Sequence, residues 1–136
     1  MLHMALAAYA QAGERTIEWA KLTAYCPCEK CCSWHWRDGK RYFNRRPSVE
    51  KPYKLTASGA YARQGLTLAM PKEYSYGTHV YTKGGNLLGV NEDRGGAIKR
   101  KDGYIVIDVY MDSHKKALEH GVKWTFVLIS NPTKKD

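Results

Sequence analysis

Tyr104-Ile105-Val106-Ile107-Asp108-Val109-Tyr110-Met111 is the stretch on which the fold turns. Alternate residues of a β-strand point to opposite faces. Ile105, Ile107, Val109 and Met111 then make one apolar face, and Tyr104, Val106, Asp108 and Tyr110 make the other. A single carboxylate is set among apolar and aromatic neighbours. Such a group costs free energy unless it is hydrogen-bonded or its pKa rises. A raised pKa is what a general acid needs near neutral pH. A structural Asp bonded to backbone N–H groups fits the same residues equally well.

The surrounding chain carries more strands. Residues 16–25 alternate loosely and predict a first strand. Residues 65–70 predict a short one ended by Pro71. Strands follow at 78–82 and 87–92, separated by the Gly84-Gly85-Asn86 turn, and a last strand covers 124–129. One helix is expected over 113–120, with Asp112 or Ser113 as N-cap and Gly121 just past its end. Residues 33–54, rich in Arg, Lys, Trp and Pro without a period, predict a long loop. Six short strands and one helix give a mainly β chain and a small β-barrel.

A chain of 136 residues suffices for one domain and not for two. That domain is expected over 13–130, with a frayed tail over 131–136. The first twelve residues, MLHMALAAYAQA, end in Ala10-Gln11-Ala12, an A-x-A pattern that marks the remnant of a signal peptide over 1–12. Secretion or a cell-wall location follows from that reading. No stretch is long enough to span a membrane, so stable insertion is not expected. The net charge of +9 suggests an anionic partner, with a merely solvated basic surface as the alternative. Nucleic acid would satisfy the charge, but no helix-turn-helix, RNA-binding aromatic signature or zinc-finger spacing accompanies it, so it is not the expected partner. A wall polymer rich in carboxylates and phosphates fits as well.

Two further segments carry acids. In Glu92-Asp93-Arg94-Gly95-Gly96-Ala97-Ile98-Lys99, paired glycines let the backbone approach a ligand or another segment closely. Asp93 is either a turn-former or a site residue. Lys99 faces either a substrate carboxylate or water. In Asp112-Ser113-His114, Asp112 is either an N-cap or a site residue. Ser58, in Thr56-Ala57-Ser58-Gly59, lacks the G-x-S-x-G elbow of a serine nucleophile.

These stretches together resemble the 3D domain proteins, named for three aspartates. The matching pieces are Thr23-Ala24-Tyr25-Cys26-Pro27-Cys28, Thr56-Ala57-Ser58-Gly59, Tyr76-Gly77-Thr78, residues 92–99 and residues 107–114, spread over about 23–129. The resemblance implies a six-stranded double-psi β-barrel. It implies the catalytic core of the MltA-type lytic transglycosylases and of the stationary-phase muralytic proteins. The expected activity is cleavage of the MurNAc–GlcNAc β-1,4 bond of peptidoglycan with 1,6-anhydro ends, and no cofactor. Its glycan strands are the expected partner. Asp108 maps to the catalytic acid, with Asp93 and Asp112 as the other aspartates. Thr23, Tyr25, Thr56, Ser58, Gly95, Gly96, Lys99 and Tyr110 are expected to bind substrate. The sequence departs from the family where 100–106 is longer and where Arg94 replaces a small residue. A non-catalytic wall binder of expansin-like type is the alternative on the same barrel.

Spacing tests the chemistry. A classical glycosidase needs carboxylates about 5–5.5 Å apart for retention or 6.5–9.5 Å apart for inversion. On a straight strand Asp108 and Asp112 are about 13 Å apart, too far to be that pair. A lytic transglycosylase needs one acid, because the sugar's own 6-hydroxyl is the tethered nucleophile.

All four cysteines fall in Cys26-Pro27-Cys28-Glu29-Lys30-Cys31-Cys32. An even count and a secreted chain favour disulfides. Thiolate ligation of zinc, with His35 nearby, and free thiols remain open. No catalytic metal is expected, since acid chemistry on Asp108 needs none.

Overall fold

The computed structural model describes residues 15–132, so the expected signal remnant and most of the expected tail lie outside the described residues. The chain is mainly β. The strands are β1 (Arg15–Tyr25), β2 (Trp34–Arg37), β3 (Lys40–Phe43), β4 (Thr67–Ala69), β5 (His79–Thr82), β6 (Leu87–Asp93), β7 (Arg100–Lys101), β8 (Tyr104–Tyr110) and β9 (Lys123–Ser130). Two short helices, α1 (Glu29–Cys32) and α2 (His114–His120), complete the described elements. Among the described residues no helix is long and apolar enough to cross a membrane.

Seven strands form one sheet in the order β1-β9-β5-β6-β4-β8-β7, and β1 also pairs with β8. That extra pairing closes six strands into a ring. β1 runs parallel to β8, and β4 parallel to β6. The remaining pairs are antiparallel. The core is the inner face of this ring. Ile105, Ile107 and Val109 of β8 meet Ala20 and Leu22 of β1, Val80 of β5, and Val127 and Ile129 of β9 there, with Met111 packed against them. The face expected to be apolar is therefore the buried one. The opposite face of β8 carries Asp108 and Tyr110, and Tyr110 packs with Tyr25, Ala62 and Ala69 in a smaller cluster.

Each expected strand is present within about two residues, and the helix begins one residue after its N-cap, Ser113. The Ser113 side chain accepts from the Lys116 N–H at 3.2 Å, so Asp112 is not the cap. The expected long loop over 33–54 is corrected, because it contains the β2–β3 hairpin. Asp38 and Gly39 take φ of 52° and 77° at its turn, the left-handed pair that a tight two-residue hairpin requires. The longer 100–106 segment is also ordered. It folds back as β7, with Arg100 opposite Ile105. Arg100 pairs with Glu18 at 2.9 Å and donates to the Tyr74 hydroxyl oxygen at 3.0 Å.

Closure brings β4 very close to β6. The Val90 N–H donates to the Leu66 carbonyl at 2.7 Å. A Cβ on Gly89 would strike that carbonyl and would lie 2.7 Å from Leu68 Cγ. Neither backbone nor a fully buried leucine can yield without moving the core. Gly89→Ala should therefore cost about 3 kcal/mol or more, read as the shift in the urea unfolding midpoint. A loss under about 1 kcal/mol would show that β4 is free to move.

Candidate active site

The sheet register builds the site. Thr23 of β1 lies opposite Asp108 of β8, Asp108 opposite Ala69 of β4, and Ala69 opposite Asp93 of β6. Four strands thus place Thr23, Asp108, Ala69 and Asp93 on one rung. Two strand spacings separate the α-carbons of Asp108 and Asp93, roughly 10 Å. Ala69 between them is too small to fill the space. The two carboxylates and Ala69 line one groove of about 600 Å³.

The two acids have different surroundings. Asp93 accepts from the Ala57 N–H at 3.0 Å and its neighbour Arg94 N–H at 2.9 Å on one oxygen, and from the Tyr25 hydroxyl at 2.7 Å on the other. Burial and the Asp93 charge push the Tyr25 phenol far above its usual range, which keeps it a donor. Asp108 accepts from the Thr23 hydroxyl at 2.9 Å. Burial pushes its carboxyl up to about 6; the Thr23 bond opposes this, the Asp93 charge adds to it, and His120 opposes it. Desolvation outweighs a lone hydrogen bond here, which leaves Asp108 able to hold and release a proton near neutrality.

The other expected residues divide. Tyr25, Thr56, Gly95 and Gly96 line the groove. Thr23 acts through Asp108. Ser58 hydrogen-bonds Thr56 Oγ1 at 3.1 Å and sits outside the lining. Tyr110 is fully buried, its ring edge-on to Tyr25 at 5.6 Å, so it supports the floor and does not face a substrate. Lys99 is exposed and away from the groove. Asp112 is also away, paired with Lys54 at 3.5 Å. Arg94 turns inward. It donates to Asn91 Oδ1 at 2.9 Å and to the Tyr74 carbonyl, and it covers the Tyr76 ring at 4.2 Å. Arg94 therefore ties down the 70–77 segment.

Sequence reasoning missed the far wall. Phe43, Arg45, Arg46 and Lys51 line the groove from the segment read as a loop. The Asp38-Gly39 pair between Trp34-His35-Trp36-Arg37 and Lys40-Arg41-Tyr42-Phe43 was the available signal for that hairpin.

No protein-family model matches the chain, and no curated protein is significantly similar to it. The reading of the groove accordingly rests on its geometry.

The four cysteines form no disulfide among the described residues. Cys26, Cys28 and Cys31 converge on His114 at the start of α2, and these side chains could hold a metal. His35 is elsewhere, bonded through Nδ1 to Asn44 Oδ1 at 2.8 Å. Cys32 turns away, its Sγ donating to the Cys26 carbonyl at 3.2 Å, and packs beside Tyr25 and Tyr110.

The raised Asp108 pKa sets a stability expectation. The folded state holds this proton more tightly than the unfolded chain, so the contribution is full below about pH 4 and lost as pH rises through about 6. From its ordinary value near 4, the shift is worth about 3 kcal/mol at most. Asp108→Asn keeps an acceptor for Thr23 and removes the charge. It should be more stable than wild type at pH 7.5, with the difference closing by pH 4, in urea unfolding across that range. A difference independent of pH would remove the perturbed carboxyl.

Proposed function

We propose that this chain is a secreted or cell-wall lytic transglycosylase that cleaves the MurNAc–GlcNAc β-1,4 bond of peptidoglycan and leaves 1,6-anhydro ends. The observation that carries the reading is Asp108: one carboxyl, pushed up to about 6, on the floor of an open groove. With it we propose the six-stranded double-psi β-barrel. The closed ring of six strands and the parallel pairs β1–β8 and β4–β6 support that architecture.

The division of labour between the acids favours a one-acid reaction. A hydrolase would need its second carboxylate free to activate water or attack carbon. Both Asp93 oxygens are already held, by two backbone N–H groups and the Tyr25 hydroxyl. Protonated Asp108 gives its proton to the bridging oxygen as the bond from C1 to that oxygen breaks. The resulting carboxylate takes the proton of the 6-hydroxyl of the same sugar, and O6 closes on C1. The proton count balances within the cycle, and Asp108 ends protonated as it began. Asp93 supplies a fixed negative charge across the groove for the positive charge that develops at C1.

The rest of the surface suits the polymer. Arg45, Arg46 and Lys51 face the groove, where muropeptide and lactyl carboxylates would lie. On the outer face of β1, Trp19 stacks with Trp124 of β9 at 6.1 Å and packs on Phe126 at 4.7 Å. Trp19 shares its strand face with Thr23, so the exposed rings lead toward Asp108. Flat aromatic rings in such a row suit the apolar faces of sugars.

The test is mass spectrometry of muropeptides released from purified sacculi. Wild type should yield 1,6-anhydro ends, with kcat/KM falling as pH rises past about 6, because the acid must be protonated. Asp108→Asn should lose at least about 10²–10⁴-fold. Asp93→Asn should lose less, and Asp112→Asn little. Reducing ends would indicate a hydrolase. Wall binding without release of any product would indicate the expansin-like binder.

A second expectation concerns the basic wall. Attraction between exposed charges is screened by salt. Arg45→Ala with Arg46→Ala should weaken co-sedimentation with insoluble peptidoglycan and flatten its dependence on ionic strength. Unchanged binding and salt dependence would assign affinity to the aromatic row.

A further inference from the structure

The ends of β1 and β8 meet at a second cluster at the edge of the groove, which it touches through Cys31. Cys26 follows β1 directly. Cys28 caps α1, and Cys31 lies one turn on, so the short helix turns both toward Cys26. His114, the first residue of α2, reaches the same point from 83 or more residues away in sequence. The ligand atoms of these four residues all lie within 4.8 Å of one another. His114 Nδ1 is 3.7 Å from Cys26 Sγ, 3.6 Å from Cys28 Sγ and 3.8 Å from Cys31 Sγ. Cys26 Sγ and Cys31 Sγ are 3.7 Å apart.

Those four separations match the edges of a tetrahedron built around an ion, and the two remaining sulfur pairs lie within 4.8 Å. Bonds of about 2.3 Å to sulfur and 2.0–2.1 Å to nitrogen imply edges of about 3.8 Å between sulfurs and about 3.6 Å from sulfur to nitrogen. A disulfide needs sulfurs about 2.05 Å apart and would break up the set. Hydrogen bonding alone gives no reason for three weak S–H donors to converge on one imidazole nitrogen. Three soft sulfur ligands and one imidazole in tetrahedral array select zinc.

We propose that Cys26, Cys28, Cys31 and His114 form a structural Zn²⁺ site, with Cys32 outside it. The ion replaces three thiol protons, which pass to solvent, and receives the Nδ1 lone pair. Four protein ligands close the coordination sphere, so the site holds structure and does no chemistry. It clamps the turn after β1 to the turn after β8. Those strands carry Thr23 and Tyr25 on one side and Asp108 and Tyr110 on the other, so the clamp fixes the end of the rung on which the acids sit. The inference does not depend on the proposed activity.

The experiment uses the full chain, purified under reducing conditions. Elemental mass spectrometry should find one zinc per chain. X-ray absorption should show three sulfurs at about 2.3 Å and one nitrogen at about 2.0–2.1 Å. Stripping with a chelator should lower the melting temperature by at least about 10 °C, and added zinc should restore it. Cys28→Ser and His114→Ala should lose the metal, Cys32→Ser should keep it, and His114→Cys should keep it with a four-sulfur shell. If the ligand variants fail to fold, the absorption spectrum of the wild type still decides. A chain that takes up no zinc, a four-sulfur shell in the wild type, loss of metal in a folded Cys32→Ser, or a disulfide among these cysteines in the unreduced peptide map would each overturn the assignment.

Discussion

The parallel pairing of β1 with β8 is the constraint on which the molecule depends. It runs from Ala20 opposite Ile105 to Tyr25 opposite Tyr110. Without it the sheet would be open, and the inner faces of both strands would meet water. With it, Ala20, Leu22, Ile105, Ile107 and Val109 share one core. The same register puts Thr23 beside Asp108. A slip of one residue would turn every side chain of β1 to the other face, burying Trp19 and Thr23 and exposing Ala20 and Leu22. Core and site are therefore fixed by one choice.

Burial does opposite things on the two faces of β8. Inside the ring, apolar residues gain by leaving water. On the outer face, the same enclosure desolvates Asp108 and raises its pKa. Packing alone can thus bring a carboxyl up to about 6, without a second acid in hydrogen-bond contact. Asp93 is the counter-example on the same rung. It lies at a strand end where three donors converge, and those bonds hold it as an acceptor. Ala69 between them matters through its size, because a larger side chain there would fill the space between the two carboxylates.

Much of this was legible in the sequence where the period was strong. The alternation in 104–111 gave the buried face of β8 and the odd position of Asp108. Thr78-His79-Val80-Tyr81-Thr82 and the Gly84-Gly85-Asn86 turn located the β5–β6 hairpin. What failed was local. In 34–43 both faces carry aromatic or basic residues, so no apolar alternation shows, although the Asp38-Gly39 turn was in plain view. The stacking of the Arg41 guanidinium on Trp34, Trp36 and Tyr53, at 4.3–5.2 Å from the ring centres, replaces an apolar face in holding that hairpin. Lys99 is exposed, and its two readings stayed open because spacing does not fix direction beyond the Gly95-Gly96 loop. His114 lay beyond any local motif, because 83 residues separate it from Cys31.

The placement of that histidine bears on how the groove is held open. Strand ends fray, and both acids depend on residues near strand ends. Tyr25, the last residue of β1, holds Asp93, and Tyr110, the last of β8, packs under Tyr25. The ladder continues one step further, with the Met111 N–H donating to the Tyr25 carbonyl at 2.7 Å. Beyond that bond the two chains diverge, one into the cysteine turn and the other into α2. Cys26 and His114 meet just past the divergence, at 3.7 Å. A contact there resists the fraying that would otherwise begin at Tyr25 and reach Asp93 first. The cysteine turn is pinned again from outside by the buried Trp34, whose indole N–H donates to the Pro27 carbonyl at 2.9 Å. The hairpin that leads into the basic wall is thereby fastened to the same turn. The groove is thus bounded on one side by the closed ring and on the other by a segment fastened at two places, at the cysteine turn through Trp34 and at β6 through the Ser58 N–H, which donates to the Glu92 carbonyl at 3.1 Å.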